Sequence, residues 1–444
     1  MKLEDMVIAS VDDHIVEPPD LLNKHIPAKW RSHAPKIEKA TDGSDVWVFE
    51  GRPHPNFALN AVAGRPREEL GFEPSSYAQI RSGCYDPKAR VDDMSVNGVM
   101  SALCFGSVSG MCGETWMRAS DRGLGLTMLK AYNDYYQYDW CDFAPGRFIP
   151  LGQIPLWDPS EMVAEISRLA ARGCVAVSFP ALPTLIGLPS IHDAYWRPVW
   201  KALSDHAMVL CCHIGIGGGS EHLSPESPID AFLTKVGLSS FSVASEWLWS
   251  SVMREFTDLK IILSEGGIGW IPYFKERADL VMRNHGPWTH QSFGSKLPSE
   301  FFRERFFSCF IEDVFGLEAR HKIGVETIMF ENDYPHADIT WPNSPEQLWA
   351  DFTTAKCTDA EIEMISHQNA LRVLRFDAMG KMGGREKCTV GALRAQATHV
   401  DTRPISGLGG VPPKVERGVV TAADVMKQLP SLFTERAKGE ATGA

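Results

Sequence analysis

Short apolar runs separated by stretches with helical spacing dominate the chain from about residue 7 to residue 376. There are eight such runs: Val7–His14, Val99–Phe105, Phe148–Ile154, Cys174–Phe179, Met208–His213, Lys260–Glu265, Phe306–Glu312 and Thr327–Asp333. Because strands buried on both faces read as continuous apolar runs, the pattern predicts a parallel sheet covered by helices. Eight units favour an α/β fold of the closed (β/α)8 TIM-barrel type, although periodicity alone leaves an open, doubly wound sheet possible.

Two long segments depart from this rhythm. Residues 22–97 follow the first strand and contain proline-rich turns such as Arg52-Pro53-His54-Pro55. Because a long loop is uncommon unless it has a function, we interpret this segment as a lid or substrate-binding insertion. After Phe376 the pattern dissolves, so residues 377–444 are interpreted as a C-terminal extension with a helix near residues 422–429. The predicted organisation is therefore a barrel over residues 1–376 that carries the insertion, followed by the extension.

A glycine-rich stretch, Gly215-Ile216-Gly217-Gly218-Gly219-Ser220, follows the fifth strand. It is too flexible for a helix, and we interpret it as a hinge beside the site or a surface connection.

Composition and charge narrow the class of protein. Hydrophobic residues make up 44% of the 444 positions and charged residues 23%, which is typical of a globular chain. The net charge is −12 and there is no dense basic run, so we expect no nucleic-acid partner. The N-terminus lacks the basic start and apolar stretch of a signal peptide, and no run reaches the ~18 apolar residues of a membrane span. We therefore expect a cytoplasmic protein without a membrane partner.

Acidic residues and histidines gather where the predicted strands end. In chain order they are Asp12, His14, His213, Glu265, Glu312, Asp313, Asp333 and His336. The carboxyl ends of barrel strands all open at the same face, so these side chains are expected to converge. Asp12 and His14 are two positions apart and so share one face of their strand. An isolated pair of this kind more often caps a turn and packs, and only the joint pattern favours a site.

A cluster of buried carboxylates needs a cation to offset their repulsion and desolvation. Two histidines and two aspartates form a mixed nitrogen and oxygen site that suits zinc, manganese or iron and is too rich in nitrogen for calcium. A divalent ion in such a site polarises a substrate oxygen and lowers the pKa of a bound water towards ~7.

Several motifs together resemble the amidohydrolase superfamily over roughly residues 7–376. They are Asp12-Asp13-His14 with Glu17-Pro18-Pro19, Tyr85-Asp86-Pro87 with Arg90, Gly146-Arg147-Phe148, Cys212-His213, Glu265-Gly266-Gly267-Ile268-Gly269-Trp270 and Asn332-Asp333-Tyr334-Pro335-His336. The branch they resemble is amidohydrolase family 2, which is similar to aminocarboxymuconate-semialdehyde decarboxylase.

The resemblance implies a barrel whose metal, zinc or manganese, is held by Asp12, His14, His213 and Asp333. It also implies that Asp333 moves a proton during catalysis, a role that suits a carboxylate touching both metal and water. Family members are mostly non-oxidative decarboxylases of unsaturated or aromatic acids, and some are hydrolases. The implied protein is thus a metal-dependent enzyme acting on a small organic or aromatic carboxylate, and the resemblance further suggests a homodimer.

Glu265 departs from the pattern of the decarboxylases, which usually carry a histidine at the sixth strand tip. A carboxylate with an unperturbed pKa is a poor proton donor near neutrality. Glu265 is therefore interpreted either as a proton relay with a raised pKa or as an acceptor for N–H groups of the Gly266-Gly267 turn. Decarboxylation and metal-dependent hydrolysis both stay open, with Asp333, Glu265 and His336 as the candidate catalytic residues.

Glu265 and His336 also raise the number of ligand-type side chains at the strand ends. With Asp12, His14, His213 and Asp333 they would be enough for two ions. The alternative function is therefore a dinuclear non-haem iron monooxygenase on the same barrel. His336 could instead anchor the loop that follows Pro335.

Substrate contacts are predicted in the insertion and beside the sixth strand. Arg65, Arg67 and Arg81 are candidates because a planar guanidinium can hold a carboxylate through two hydrogen bonds. Ordinary salt bridges are the alternative for each of them. Trp270 is a candidate for the wall of a substrate pocket.

Overall fold

Each of the eight apolar runs contains a short parallel strand in the computed structural model, which describes residues 1–22, 24–41, 43–54, 58–215, 224–412 and 418–428. The strands are β1 (Ala9–His14), β2 (Lys36–Lys39), β3 (Asp45–Phe49), β4 (Arg52–His54), β5 (Ser101–Phe105), β6 (Phe148–Ile149), β7 (Leu151–Gly152), β8 (Ala176–Ser178), β9 (Val209–His213), β10 (Ile261–Ser264), β11 (Phe306–Phe310) and β12 (Ile328–Phe330). The predicted α/β class with parallel strands is confirmed. The glycine-rich stretch proposed as a hinge lies outside the described residues beyond Gly215.

The parallel strands lie side by side in chain order. β1, β5 and β6 form one sheet, and β7 to β12 form another in which neighbours in sequence are neighbours in space. Pro150 separates β6 from β7 and has no N–H to donate to a ladder. Beyond β12, the Asp333 N–H donates to the Asp12 carbonyl at 2.8 Å and the His14 N–H donates to the Tyr334 carbonyl at 2.7 Å. The segment after the last strand is thus bonded to the first strand.

Helices lie between the strands in sequence, and several bury an apolar face. They are α1 (Pro87–Val96), α2 (Glu114–Met117), α3 (Arg122–Tyr135), α4 (Pro159–Ala171), α5 (Arg197–Asp205), α6 (Ile229–Lys235), α7 (Ser239–Trp249), α8 (Val252–Glu255), α9 (Ile271–Thr289), α10 (Pro298–Arg305), α11 (Val314–Glu318), α12 (Arg320–Ile323), α13 (Ser344–Thr354), α14 (Asp359–Glu363), α15 (Asn369–Val373), α16 (Ala378–Met382), α17 (Val390–Gln396) and α18 (Ala422–Gln428). No helix among the described residues is long and apolar enough to cross a bilayer.

Helix α4 shows why the intervening stretches fold as they do. The Asp158 carboxylate accepts from the N–H groups of Ser160 and Glu161, and Pro159 stands at the first helical position. Met162, Ile166 and Leu169 are buried at helical spacing, so one stripe of the helix covers the strands. Every residue of β1, β5, β9, β10 and β11 is buried, which explains why these strands are continuous apolar runs.

The segment predicted as a long insertion has secondary structure of its own. Strands β2, β3 and β4 form an antiparallel sheet, and Trp47 and Phe49 on β3 are buried while their neighbours are less so. This alternation of buried and exposed positions is the period expected of a half-buried strand. Residues from the same segment reach the loop after β12, where the Val62 and Ala63 N–H groups donate to the Pro335 carbonyl at 2.9 and 3.0 Å.

The extension after residue 376 packs on three parts of the chain. The Val390 N–H donates to the Met6 carbonyl at 2.8 Å, just before β1. The Ile405 N–H donates to the Gly64 carbonyl at 3.0 Å, within the insertion. The Ala422 N–H donates to the Ser227 carbonyl at 2.8 Å, in the segment that follows β9. The helix predicted near residues 422–429 is confirmed over Ala422–Gln428.

Candidate metal centre

The end of β1 supplies the first two candidate ligands. Asp12 and His14 are both fully buried, and the His14 Nε2 lies 3.4 Å from the Asp12 Oδ1. The alternation of the strand puts both side chains on the same side, as the sequence predicted. Asp13 points to the other side, where it accepts from the Ser10 hydroxyl at 2.8 Å.

His213 at the end of β9 faces this pair. Its Nε2 lies 3.2 Å from the His14 Nε2 and 3.4 Å from the Asp12 Oδ2. Its Nδ1 lies 2.6 Å from the Ile214 carbonyl, a contact that assigns the ring proton to Nδ1 as the donor. The lone pair of Nε2 then points into the cluster, which is the arrangement found when a second partner orients a metal-binding histidine.

Asp333, in the loop after β12, completes the group. Its Oδ1 lies 3.3 Å from the His14 Nε2, and its backbone has a left-handed φ of 53°. Its N–H bond to the Asp12 carbonyl ties the two acidic residues together through the backbone. The structure therefore brings Asp12, His14, His213 and Asp333 into one buried cluster, although they come from positions more than 300 residues apart.

The donor set fits a divalent metal ion. Two atoms bonded to one ion at ~2.1 Å with angles of roughly 90° to 109° are ~3.0–3.4 Å apart. The separations from the His14 Nε2 to the Asp12, His213 and Asp333 atoms fall at 3.2 to 3.4 Å. Within the described part of the chain, both Asp12 carboxylate oxygens and the Asp333 Oδ2 are buried and accept no hydrogen bond. Buried carboxylate oxygens without donors are the atoms that a cation would satisfy.

The pKa values of the cluster also indicate that positive charge is favoured there. Burial alone would lower the pKa of His213, but the Asp12 and Glu265 carboxylates outweigh it and raise that pKa to about 10. Burial likewise opposes ionisation of Asp333, but His336 and His14 lower its pKa below the usual range of an aspartate. These shifts show that positive charge is favoured between the acidic groups of the cluster.

Glu265 lies at the open side of the cluster. Its side chain is 21% exposed, and its Oε2 is 3.4 Å from the His213 Nε2. Burial within the site, and then the nearby Asp333, raise the pKa of this carboxyl well above its ordinary value. Among the described hydrogen bonds, its carboxylate accepts none from the Gly266-Gly267 turn, so the contacts favour the first of the two interpretations given above.

The carboxylate of Glu331 contacts the backbone of Glu265. The Glu265 backbone has a left-handed φ of 59°, and its N–H donates to the Glu331 Oε2 at 2.9 Å. The Cys309 thiol donates to the same oxygen at 2.6 Å, and burial raises the pKa of Glu331 to about 8. Glu331 was not among the residues predicted from the sequence. It lies two residues before Asp333, the same spacing as between Asp12 and His14, and this spacing could have indicated it.

His336 joins the cluster through Asp333. Its Nδ1 is 2.8 Å from the Asp333 Oδ1, and its ring centroid is 3.9 Å from that of His14. The Ala337 N–H donates to the Asn60 Oδ1 at 3.1 Å, so the insertion fixes the loop that carries His336. The residue is therefore both adjacent to the cluster and part of an anchored loop.

Two acidic residues at the end of β11 lie apart from the cluster. Glu312 is exposed. The Asp313 Oδ2 accepts from the Ile268 and Gly269 N–H groups at 2.9 and 2.6 Å, and its Oδ1 caps α11. Asp313 thus shapes the turn that follows Glu265 through backbone contacts.

The three arginines predicted to bind substrate have different surroundings. Arg65 is buried and donates to the carbonyls of Phe72 and Gln79 at 2.9 Å each. Arg81 makes a two-point contact with Asp93, at 3.0 and 2.6 Å. Arg67 is exposed on the surface of the insertion.

Trp270, the predicted pocket wall, lies directly after the Glu265 turn. Its Nε1 donates to the carbonyls of Gly266 and Gly267, at 3.0 and 3.1 Å. Its ring packs on Phe241 and Phe274 with centroids 5.7 and 5.5 Å apart. The indole therefore braces the turn from one side.

Comparison with known proteins gives a family match that begins inside the insertion and covers most of the strand-bearing region. The amidohydrolase family model matches residues 80–376. No curated protein matches the chain significantly.

Solved structures with a similar fold include three amidohydrolase-type proteins. An amidohydrolase from Mycobacterium avium subsp. paratuberculosis is 20% identical, with a TM-score of 0.63, and the match covers 83% of this chain and 99% of that one. The 5-carboxyvanillate decarboxylase from Sphingomonas paucimobilis is 20% identical, with a TM-score of 0.56 and coverage of 84% and 100%. A dihydroxybenzoic acid decarboxylase from Polaromonas sp., with bound manganese and the inhibitor 2-nitroresorcinol, is 16% identical, with a TM-score of 0.52 and coverage of 83% and 97%.

Proposed function

Because the chain belongs to the amidohydrolase family, we propose that it is a metal-dependent enzyme that decarboxylates a small aromatic or unsaturated carboxylic acid without oxidation. The observation that carries this proposal is the convergence of three buried ligand side chains, Asp12, His213 and Asp333, on the buried ring of His14, beside the partly exposed carboxyl of Glu265. The similarity to decarboxylases of aromatic acids supports the same reaction class.

We also propose that the two parallel sheets form one closed barrel of eight strands. The backbone hydrogen bonds between the segment after β12 and β1 support closure on one side. On the other side, β6 and β7 are separated by Pro150 alone, so both sheets continue through a single extended segment. A closed barrel would point all the strand ends at one mouth, which the insertion then borders.

In this proposal the divalent ion is held by Asp12, His14, His213 and Asp333. When bound, it would polarise the substrate's oxygens and stabilise the negative charge that develops as the carbon–carbon bond breaks. The Ile214 carbonyl keeps the Nδ1 proton of His213 in place, so that Nε2 stays a ligand. Manganese or zinc suits this set of nitrogen and oxygen donors.

Glu265 would donate the proton that replaces the carboxyl group on the substrate carbon. Its carboxyl lies at the open side of the cluster, where a substrate carbon can approach it. The bond to the carboxylate carbon breaks, carbon dioxide leaves, and the Glu265 proton adds to the carbon left behind, so that R–COO⁻ and the protonated Glu265 become R–H, CO2 and the Glu265 carboxylate. Asp333, in contact with His336, would move the proton that recharges the site.

Two measurements on one preparation test the proposal. Protein purified without added metal is analysed for elements, and CO2 release is screened on 5-carboxyvanillate and dihydroxybenzoates, among other aromatic and unsaturated acids. We expect about one equivalent of manganese or zinc and release of CO2 from at least one acid. Cleavage of ester or amide substrates without CO2 would favour metal-dependent hydrolysis instead. Absence of any bound or bindable metal would contradict both reactions.

A second ligand group favours one alternative that the same analysis resolves. His14, Asp333 and His336 also lie close enough to share an ion. Two equivalents of iron would therefore support the dinuclear monooxygenase, which also needs oxygen and a reductant.

The insertion and Trp270 are proposed to bind the small-molecule substrate. Of the three arginines, Arg67 has the exposed guanidinium, whereas Arg65 and Arg81 already have partners within the protein. A homodimer is the expectation from the family resemblance, and light scattering of the purified protein measures its oligomeric state.

A further inference from the structure

The Arg90 side chain is completely buried beneath the end of β1. Its Nη2 donates to the His14 carbonyl, its Nε donates to the Gly83 carbonyl at 2.7 Å, and its Nη1 lies 3.4 Å from the Asp13 Oδ2. A single guanidinium therefore contacts two consecutive residues at the end of β1, one of which is a candidate metal ligand.

Arg90 also contacts the loop that carries Asp333. Its guanidinium stands 4.3 Å from the ring centroid of Tyr334, the residue that directly follows Asp333. The Tyr334 hydroxyl donates to the Asp93 Oδ2 at 2.6 Å, and Asp93 lies one turn after Arg90 on α1. Helix α1 thus holds the β1 end through Arg90 and the Asp333 loop through Arg90 and Asp93 together.

The start of α1 gives this arrangement a fixed frame. The Asp86 carboxylate accepts from the Ala89 N–H at 2.8 Å, and Pro87 occupies the first helical position. Arg81 braces Asp93 from the insertion through two hydrogen bonds. The motif Tyr85-Asp86-Pro87 with Arg90 is therefore a capped helix start that aims an arginine at the site.

Burial alone does not assign Arg90 a role in the site, because Arg147 is buried as well. Burial of a charge is expensive, and well-packed apolar side chains often stabilise a core as much or more. What an arginine adds is a rigid fork of donors that fixes the direction of several acceptors at once. The acceptors here are the His14 carbonyl and the Asp13 carboxylate at the end of β1 and the Gly83 carbonyl, while the face of the guanidinium packs on Tyr334 in the Asp333 loop. The spacing between the β1 end and this loop sets the distance between the His14 Nε2 and the Asp333 Oδ1, 3.3 Å.

We propose that Arg90 is a positioning residue of the metal centre, which it serves by locking the β1 end and the Asp333 loop in the spacing that the ion requires. The inference rests on the proposed metal site. It goes beyond that site because it assigns a function in metal affinity to a residue that touches neither ion nor substrate. Partners of this kind typically contribute about 10- to 100-fold to metal affinity.

Arg147 provides a matched control. It is also a buried arginine, and it donates to the carbonyls of Met100 and Val99 at 2.7 and 3.1 Å. These carbonyls precede β5, at the end of the strands opposite the candidate ligands. Arg147 also donates to the Ser95 hydroxyl at 2.9 Å and to the Val91 carbonyl at 3.5 Å, both on α1. Replacing Arg147 therefore disturbs a buried network that includes α1 but has no described hydrogen bond to the β1 end or to the Asp333 loop.

The experiment compares the Mn²⁺ affinity of the metal-free wild type with that of Arg90→Lys and Arg147→Lys, by competition with a chelator, and records the Tm of each protein. We expect both substitutions to lower the Tm, but only Arg90→Lys to weaken Mn²⁺ binding, by about 10- to 100-fold. Equal affinity of Arg90→Lys and wild type, or an equal loss in both variants, overturns the inference.

Tyr334→Phe keeps the test decisive if Arg90→Lys does not fold. This change keeps the ring under the guanidinium and removes the hydroxyl, which donates to Asp93 and accepts from the Cys84 thiol at 4.0 Å. We expect a smaller loss of Mn²⁺ affinity than for Arg90→Lys, and an unchanged affinity counts against the inference. A wild type that binds no Mn²⁺ refutes the proposed function itself, whereas a wild type that binds Mn²⁺ no better than its Arg90 variant refutes only the positioning role.

Discussion

The strand ends and the insertion meet at the loop after β12, yet they use their charged side chains in opposite ways. At the strand ends, Asp12 and Asp333 have buried carboxylate oxygens that accept no hydrogen bond within the described residues. In the insertion, Arg65 donates to backbone carbonyls and Arg81 donates to the Asp93 carboxylate. The first region is incomplete without a ligand, and the second is largely satisfied by the protein itself. Charged side chains with missing partners, rather than charge alone, are what point to a binding site.

Removing a candidate ligand should have the largest effect. Asp333→Asn keeps the size of the side chain but loses a negative charge in contact with His14 and His336. We expect bound metal to fall well below one equivalent and CO2 release to fall by at least about 100-fold, since both the ion and a proton-transfer group are affected.

Asp313→Asn is the control for that result, because it too changes an aspartate at a strand end. Asp313 accepts from backbone N–H groups and caps α11. Its replacement should lower stability by about 1 kcal/mol and leave the metal content unchanged. Equal loss of metal in both variants would show that the strand ends respond as one structural unit and would remove the distinction drawn between them.

Glu265→Gln should separate metal binding from proton transfer. The amide keeps the shape of the side chain but has no acidic proton to give, so we expect normal metal content and a loss of CO2 release of about 100- to 10,000-fold. Glu265→His introduces the residue usual in the similar decarboxylases and should restore part of the rate. Turnover of Glu265→Gln at the wild-type level would exclude Glu265 as the proton donor.

The strand-end cluster was accessible from the sequence because strand geometry is local and regular. A period of two puts Asp12 and His14 together, and parallel strands in chain order bring the remaining ends to one face. Glu312 and Asp313 show the limit of this reasoning. They satisfy the same pattern, but the turn after β11 sends one into solvent and turns the other towards the backbone of the Glu265 turn.

The insertion was harder to predict because its contacts depend on tertiary partners far along the chain. Nothing near Arg81 in sequence indicates the carbonyl of Asp401, to which its Nη1 donates at 3.3 Å. Strand β3, on which Trp47 and Phe49 are buried, was not predicted, because the proline-rich turns of the segment indicated a loop. Arg90 was noticed as part of a motif, and only the fold reveals that its donors reach the His14 carbonyl.

Loosening the contact between the insertion and the extension should have a moderate effect on substrate binding without affecting the metal. The Glu69 carboxylate accepts from the Ser406 hydroxyl and, at 2.9 Å, from the Gly407 N–H, so it joins the insertion to the extension. Glu69→Ala should raise KM by about 5- to 10-fold, since each such bond contributes on the order of 1 kcal/mol. Glu68→Ala, at the exposed neighbouring position, is the matched control and should leave KM unchanged. A changed metal content in Glu69→Ala would mean that the contact between Glu69 and the extension also supports the strand ends.

The smallest effects are expected for Arg65 and Arg67 of the insertion. Replacing the first should change stability, and replacing the second should change substrate binding. Arg65→Ala leaves the Phe72 and Gln79 carbonyls without their donor, so it should lower the free energy of unfolding by about 1 to 3 kcal/mol. Arg67→Ala removes an exposed side chain, so it should leave the Tm unchanged and raise KM about two- to fivefold through a solvent-screened contact with the substrate carboxylate. If Arg67→Ala changes neither quantity, the insertion contributes no cation to binding, and the charge that neutralises the substrate has to come from the metal alone. The two regions would then differ completely, with all the recognition of the carboxylate at the strand ends and only enclosure supplied by the insertion.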